Sequence, residues 1–281
     1  MGLFRSCAFS IGFRAALVAA VCASACAVSH EPHIVSIPQP SVRAATTLDE
    51  IGDNRTAAVT IASVFDLQLG IPRFPATLEF YPHTDAFEKA LLRVGYDAEL
   101  ARSTAARMTA VGGYRGVMLN DGKFGLLSKP QRVAMLAHEL GHSFQYELGG
   151  GRRGASDQWL REGFAEWLSI RVIERLGGVS MATIRRDRER ELRAAGRSGT
   201  PRLAQLVTFP AWVRASERHK DTMYALAFVA VDILLERHGM PAVIDYFRRF
   251  AASDDRVAAF RAAFGDDLGT FEAVVAQRVW R

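Results

Sequence analysis

Residues 137–145 read AHELGHSFQ. On an α-helix each residue turns about 100°, so positions four apart share one face and lie roughly 6 Å apart along the axis. His138 and His142 would therefore point the same way and could grip one ion, with Glu139 one step round at the edge of that site. Two imidazole ligands plus a carboxylate able to take a proton from water are what a zinc hydrolase requires. The plainer alternative is a short charged helix that happens to hold two histidines. The pair gains meaning only if a third ligand stands in a suitable context.

From Pro130 the surrounding pattern is helical, and Val133, Leu136, Ala137, Leu140 and Phe144 form an apolar stripe that would press the motif helix against a core. The stretch GGGRRGASD (149–157) must be a loop, and QWLREGFAEWLSIRVIERLGG (158–178) is a second helix closed by a glycine pair. A catalytic zinc site needs three protein ligands and one open position. Glu162, separated from His142 by nineteen intervening residues and on that second helix, is the candidate third ligand. Glu166, one turn further, is placed to accept from the other ring nitrogen of a metal-bound histidine, with His138 as the expected partner. The apolar neighbours of these two carboxylates imply a buried face, and burying both without a cation costs too much.

Upstream, helix 55–69 precedes a strand within PATLEFYP (75–82). A helix capped by Thr84 or Asp85 then runs to Gly95, and another spans 97–110. GGYRGVMLND (112–121) reads as one further strand ending in an Asp121-Gly122 turn. Beyond Gly178 the chain is helical almost throughout, with a run of alternating charge at 183–197 and helices near 221–238, 241–251, 255–264 and 268–279. His83, His219 and His238 lack any motif context, and His238, just before Gly239, suits a helix C-terminus.

The 281 residues are 49% hydrophobic and 23% charged, ordinary for a globular chain. A formal charge of +5 is mild, and the charge run is balanced, so no nucleic-acid partner is expected. The first 25 residues differ: Arg5 and Arg14, a short alanine-rich apolar run and no acid before Glu31 read as a signal peptide. The sequence ASAC (23–26) ends that leader and supports two cuts at one place. Ala23 and Ala25 suit a signal peptidase, while Ala23-Ser24-Ala25-Cys26 is similar to a bacterial lipobox, with Cys26 as the lipid attachment point. Either way the chain is expected to be exported to a bacterial periplasm or cell envelope, with the membrane as partner if Cys26 is acylated. All three cysteines, Cys7, Cys22 and Cys26, fall here, so the remainder has no thiolate site. Residues 26–54 are rich in Pro and small polar residues and read as a tether, leaving 55–281 as the folded domain.

H-E-x-x-H followed by W-L-x-E-G-x-A (159–165) resembles the gluzincin metallopeptidases, the peptidase MA-like group that includes aminopeptidase N and thermolysin relatives. The resemblance extends from about Thr77 to the C-terminus through LEFYPHTDAFEKAL, GGYRGVMLN and YALAFVAVDILLERHG. The order of elements already reads as an α+β fold, a small β-sheet followed by a mainly helical C-terminal half, and the resemblance implies that its motif helices are a zincin-like active-site pair. It also implies one zinc ion per chain on His138, His142 and Glu162, a peptide or protein substrate, and Glu139 as general base and later proton donor. Tyr224, in MYALAFV, would match the oxyanion-stabilising tyrosine of the aminopeptidase N relatives, although a tyrosine packed on an apolar helix is the plainer reading. Gly113, Tyr114 and Gly116 would lie on the edge strand that pairs with bound peptide. The chain departs from that group in having no glutamate in this strand to hold a free amine, which argues against aminopeptidase action. The rival class is a surface module that keeps zinc as structure and binds a protein or cell-wall partner.

Overall fold

Four short strands form one mixed sheet because each carries an apolar alternation too short to be buried alone. In the computed structural model, which describes residues 31–39 and 41–280, the strands are His33–Ile37 (β1), Ala76–Tyr81 (β2), Ala110–Gly113 (β3) and Gly116–Asn120 (β4). Their order is β1-β2-β4-β3. β1 runs antiparallel to β2 with Val35 opposite Leu78, β2 runs parallel to β4, and β4 antiparallel to β3. The signal peptide expected over 1–25 and the acylation expected at Cys26 lie outside the described residues.

Two expectations need correction here. The tether 26–54 contains a strand: HIVSI pairs along its whole length with β2 and buries Val35 and Ile37. Two inward residues are a weak local signal, and the partner that satisfies the backbone lies some forty positions away. Likewise 112–121 is no single strand. The chain reverses at Tyr114-Arg115 and forms a hairpin, so β3 is the sheet edge and β4 lies inside. The turn holds Arg115 at φ 55°, a left-handed conformation that glycine or asparagine would have advertised. Asp121-Gly122 then opens a one-turn helix, Asp121–Phe124 (α4).

The sheet separates two helical layers. Thr84–Arg93 (α2) and Ala98–Arg107 (α3) cover one face, where Phe87, Ala90, Leu91, Ala101 and Ala105 pack with Tyr81, Val111 and Met118. The α2 cap is His83, whose Nδ1 accepts from the Ala86 N–H at 3.2 Å, rather than Thr84 or Asp85. The other face sends Leu78, Phe80, Val117 and Leu119 into the main core. That core also takes Asn54–Ser63 (α1), which continues as a π-helical turn to Gln68, and Lys129–Leu148 (α5).

Gln158–Arg175 (α6) is the central helix, lying between α5 and Phe209–Arg249 (α8). Its Trp159, Leu160, Phe164, Leu168 and Val172 are wholly buried, each contributing about 1.5–3 kcal/mol by removal from water. Met181–Ala195 (α7), Arg256–Phe264 (α9) and Leu268–Trp280 (α10) complete the C-terminal half. α8 breaks at His219 and at Gly239, where φ is 76°, giving segments 209–218, 220–238 and 240–249. Residues 225–234 are buried on every side, as an all-round apolar helix must be. The one charge among them, Asp232, accepts from Trp167 Nε1 at 3.1 Å and from Arg185 Nη2 at 2.9 Å. The architecture is α+β, with a small sheet and a dominant helical half. No helix among the described residues is long and apolar enough to cross a membrane.

Candidate metal centre

Ser128 and Gln131 cap the start of α5, whose inner stripe of Val133, Leu136, Ala137, Leu140 and Phe144 is buried. The spacing that buries this stripe turns His138, His142 and Tyr146, four apart, onto another face. The two imidazoles stand edge-on with centroids 4.8 Å apart and Nε2 atoms 3.1 Å apart. Two glycines let the helices approach closely enough for a third group to reach them. A Cβ on Gly141, between the histidines, would lie 3.3 Å from the Ala165 backbone on α6. A Cβ on Gly163 would lie only 2.3 Å from the Ala227 carbonyl oxygen on α8.

Glu162 is thereby delivered to the histidines. Its Oε2 is 3.6 Å from His138 Nε2 and its Oε1 3.7 Å from His142 Nε2. One ligand atom from each of the three residues lies within 4.8 Å of the others. Ligands held at 2.0–2.2 Å in a tetrahedron stand about 3.4 Å from one another. The observed separations of 3.1–3.7 Å bracket that figure, although the two histidines face different oxygens of Glu162, so the three side chains form an arrangement that could hold a metal ion.

The outer contacts orient each donor. Gln145 is buried and its Nε2 donates to the Arg161 carbonyl at 2.8 Å, which turns its Oε1 toward His142 Nδ1 at 3.1 Å. An oxygen there requires the hydrogen on Nδ1 and leaves the Nε2 lone pair facing His138 and Glu162. Gln158 Nε2 donates to Glu162 Oε1 at 2.7 Å, and Arg153 donates to Gln158 Oε1. Glu166 Oε2 is 3.7 Å from His138 Nδ1, while Arg188 Nη2 donates to Glu166 Oε1 at 3.1 Å. His138 Nδ1 is buried without a hydrogen-bond partner, so a contraction of a few tenths of an ångström toward Glu166 would satisfy it.

Electrostatics at the cluster favour a cation. Burial alone would lower the His138 pKa, but Glu162 and Glu166 outweigh it and hold it up to about 10. Burial would raise Glu162, yet His142 and His138 hold its carboxyl well below the usual range. Glu166 is lowered in the same manner by His138 and Arg188 against the opposing effect of burial. Two nearly buried carboxylates thus draw positive charge onto His138, and a divalent ion supplies that charge more fully than a proton.

Glu139 lies under the sheet edge. A Cβ on Gly112 of β3 would come within 2.7 Å of the Glu139 carbonyl oxygen, 2.9 Å of Oε2 and 3.0 Å of His142 Cβ. Only glycine lets the edge strand cross the motif helix this closely. Gly113 ends that strand and Tyr114 sits in the turn, but Gly116 belongs to β4, paired on both sides with Gly113 and Thr77. Its backbone is therefore closed to an incoming peptide, and the exposed edge is 110–113. Tyr224 is half-buried on α8, with its ring edge-on to Trp212 at 5.0 Å, the packing of an aromatic on an apolar helix.

Sequence reasoning missed Gly112, Gln145, Gln158, Arg153, Arg161 and Arg188. The two amides had a usable signal, since Gln145 follows His142 by three and Gln158 precedes Glu162 by four. Arg161 is 3% exposed, and burial, with Arg153 beside it, pulls its guanidinium down to about 10. No protein-family profile, curated protein or solved structure matches this chain.

Proposed function

We propose that the chain is a zinc-dependent peptidase that holds one ion per chain on His138, His142 and Glu162, with α5 and α6 as a zincin-like active-site pair. The convergence of these three side chains at 3.1–3.7 Å, with donors matching a catalytic rather than a closed structural site, carries the reading. When bound, zinc supplies Lewis-acid polarisation of the scissile carbonyl and of water.

The residues of the chain do the rest. Gln145 and Glu166 hold the two imidazoles in register, and Gln158 fixes Glu162. Glu139, beside the ligands, takes the proton from water at its carboxylate and returns it to the leaving amine. The free edge of β3, drawn down onto Glu139 by Gly112, receives an extended peptide as an added strand and sets its carbonyl over the site. Tyr224 is assigned the hydroxyl that steadies the developing oxyanion. The leader and Cys26 support export to the bacterial envelope with a lipid anchor.

A base beside an unfilled coordination position has no use in a purely structural zinc module, so Glu139 favours the enzyme over that rival. Measuring zinc content together with casein hydrolysis by wild type and Glu139→Gln tests the assignment. The expected result is about one zinc in both proteins and a loss of at least a hundredfold in hydrolysis for the variant. Equal hydrolysis by the two proteins would remove Glu139 from its role.

A further inference from the structure

We propose that Arg153 and Arg161, with Tyr146, form a carboxylate-binding subsite beside the metal centre, so that the peptide taken there bears a carboxylate close to the scissile bond. The inference rests on the peptidase reading for the identity of the ligand as a peptide, but not for the existence of the subsite.

Arg188, the other buried arginine among the described residues, and the partly buried Arg185 are both paired. Arg188 is held by Glu166 and Glu191, and Arg185 by Asp232 and Glu236. Arg161 is more deeply buried than either, at 3% exposure, yet it has no carboxylate partner among the described residues. Its Nη1 donates to the Arg153 carbonyl and to Ser156 Oγ, both at 3.3 Å, and its guanidinium covers the Tyr146 ring at 5.1 Å. Arg153, on the 149–157 loop, is half-buried and also has no carboxylate partner among the described residues. It donates to Gln158 Oε1 and lies over the exposed Phe209 ring at 4.8 Å. Arg161 feels the nearby charge of Glu162 but forms no ion pair with it, and two neighbouring cations drawn from water without an ion-pair partner are unfavourable unless a ligand supplies one.

Their position says which ligand. Arg161 immediately precedes Glu162 on α6, and Gln158 links Arg153 to the same carboxylate through its 2.7 Å hydrogen bond. Tyr146 continues the helix face of His138 and His142 by one turn. An anion seated against the pair would stand next to the metal on the side of the α5 C-terminus. The planar fork of arginine matches a carboxylate through two parallel hydrogen bonds, and a tyrosine ring that already packs on one guanidinium limits the slot to a flat group. The carboxylate has two sources in a peptide, the free C-terminus or an Asp or Glu side chain.

Calorimetric binding to the full chain, with and without zinc, decides the matter without requiring turnover. The probes are N-acetyl-trialanine, its C-terminal amide, and N-acetyl-Ala-Glu-Ala amide. Wild type is expected to bind the free acid or the glutamyl peptide at least tenfold more tightly than the trialanine amide, and whichever of the two binds identifies the source. In Arg153→Gln the ratio should fall below threefold, with Arg153→Lys between. Thermal unfolding and zinc content establish that the variants fold. Equal wild-type affinity for all three probes overturns the proposal, whatever the variants do, and so does a preference that survives unchanged in Arg153→Gln. A preference in a protein that cleaves nothing would sink the peptidase reading and leave the subsite. Cleavage without any preference would do the reverse.

Discussion

Helix α6 carries two kinds of buried acid, and they behave in opposite ways. Asp157, at its N-terminus, is 1% exposed, and its neighbours are a phenol and a distant guanidinium. Tyr246 donates to Oδ2 at 2.9 Å, and Arg256 Nε is 3.8 Å from Oδ1. Burial wins, and its carboxyl is pushed up to about 6 despite Tyr246 and Arg256. Glu162, five residues on, is also nearly buried, with its side chain 12% exposed, but it faces two imidazoles and is held low. Burial alone therefore says little about an acid's role. An acid that burial drives toward neutrality serves as an anchor; one held charged against burial by its neighbours has the electrostatics a cation site requires.

The sharpest way to break the comparison is to neutralise the second acid. Glu162→Gln should weaken zinc by on the order of a thousandfold, since a site worth roughly 10–16 kcal/mol shared among its ligands loses about 4 kcal/mol with one of them. Competition with a chromophoric chelator reads this directly, and zinc affinity within tenfold of wild type would remove Glu162 from the ligand set. Gly112→Ala comes next. Its methyl would intrude on the Glu139 carbonyl at 2.7 Å, so about 1–3 kcal/mol of stability should go, together with hydrolysis. Chemical denaturation and casein assay of the same preparation test both halves.

Asp157 gives the pH-dependent counterpart. Its folded pKa lies above the ordinary carboxylate value of 3.8, so its favourable contribution is complete below about pH 4 and is lost as pH rises through about 6. Relative to Asp157→Asn, wild type should lose on the order of 2 kcal/mol across that window. Unfolding free energies at pH 4 and pH 7 for both proteins give the difference, and parallel curves would refute it. Arg188→Met is the mildest change. It frees Glu166 while leaving the ligands in place, so zinc affinity should fall about tenfold, the low end for outer contacts. A cobalt-substituted spectrum shifted at unchanged stoichiometry would separate this orienting role from simple destabilisation.

How much of this was legible depends on how local each signal is. The two motif helices were readable because the spacing that makes a helix amphipathic also aligns His138 with His142 and Glu162 with Glu166. The hairpin at 110–120 was not, because Arg115 takes a left-handed turn without an Asn-Gly or Asp-Gly signature. β1 escaped because its only strong argument is its partner β2. The first segment of α8, 209–218, was also missed; Phe209 and Val213 are exposed there, so it shows little apolar face.

By itself the chain determined most of the helices, their apolar faces and the identity of three metal-capable donors, since these depend on neighbours within one or two turns. Tertiary packing alone decided that the donors meet, through Gly141 against Ala165 and Gly163 against Ala227. It also decided which strand forms the open edge, and that Arg153 and Arg161 form no ion pair among the described residues. Those outcomes depend on distances between segments far apart in the chain, which residue spacing does not encode.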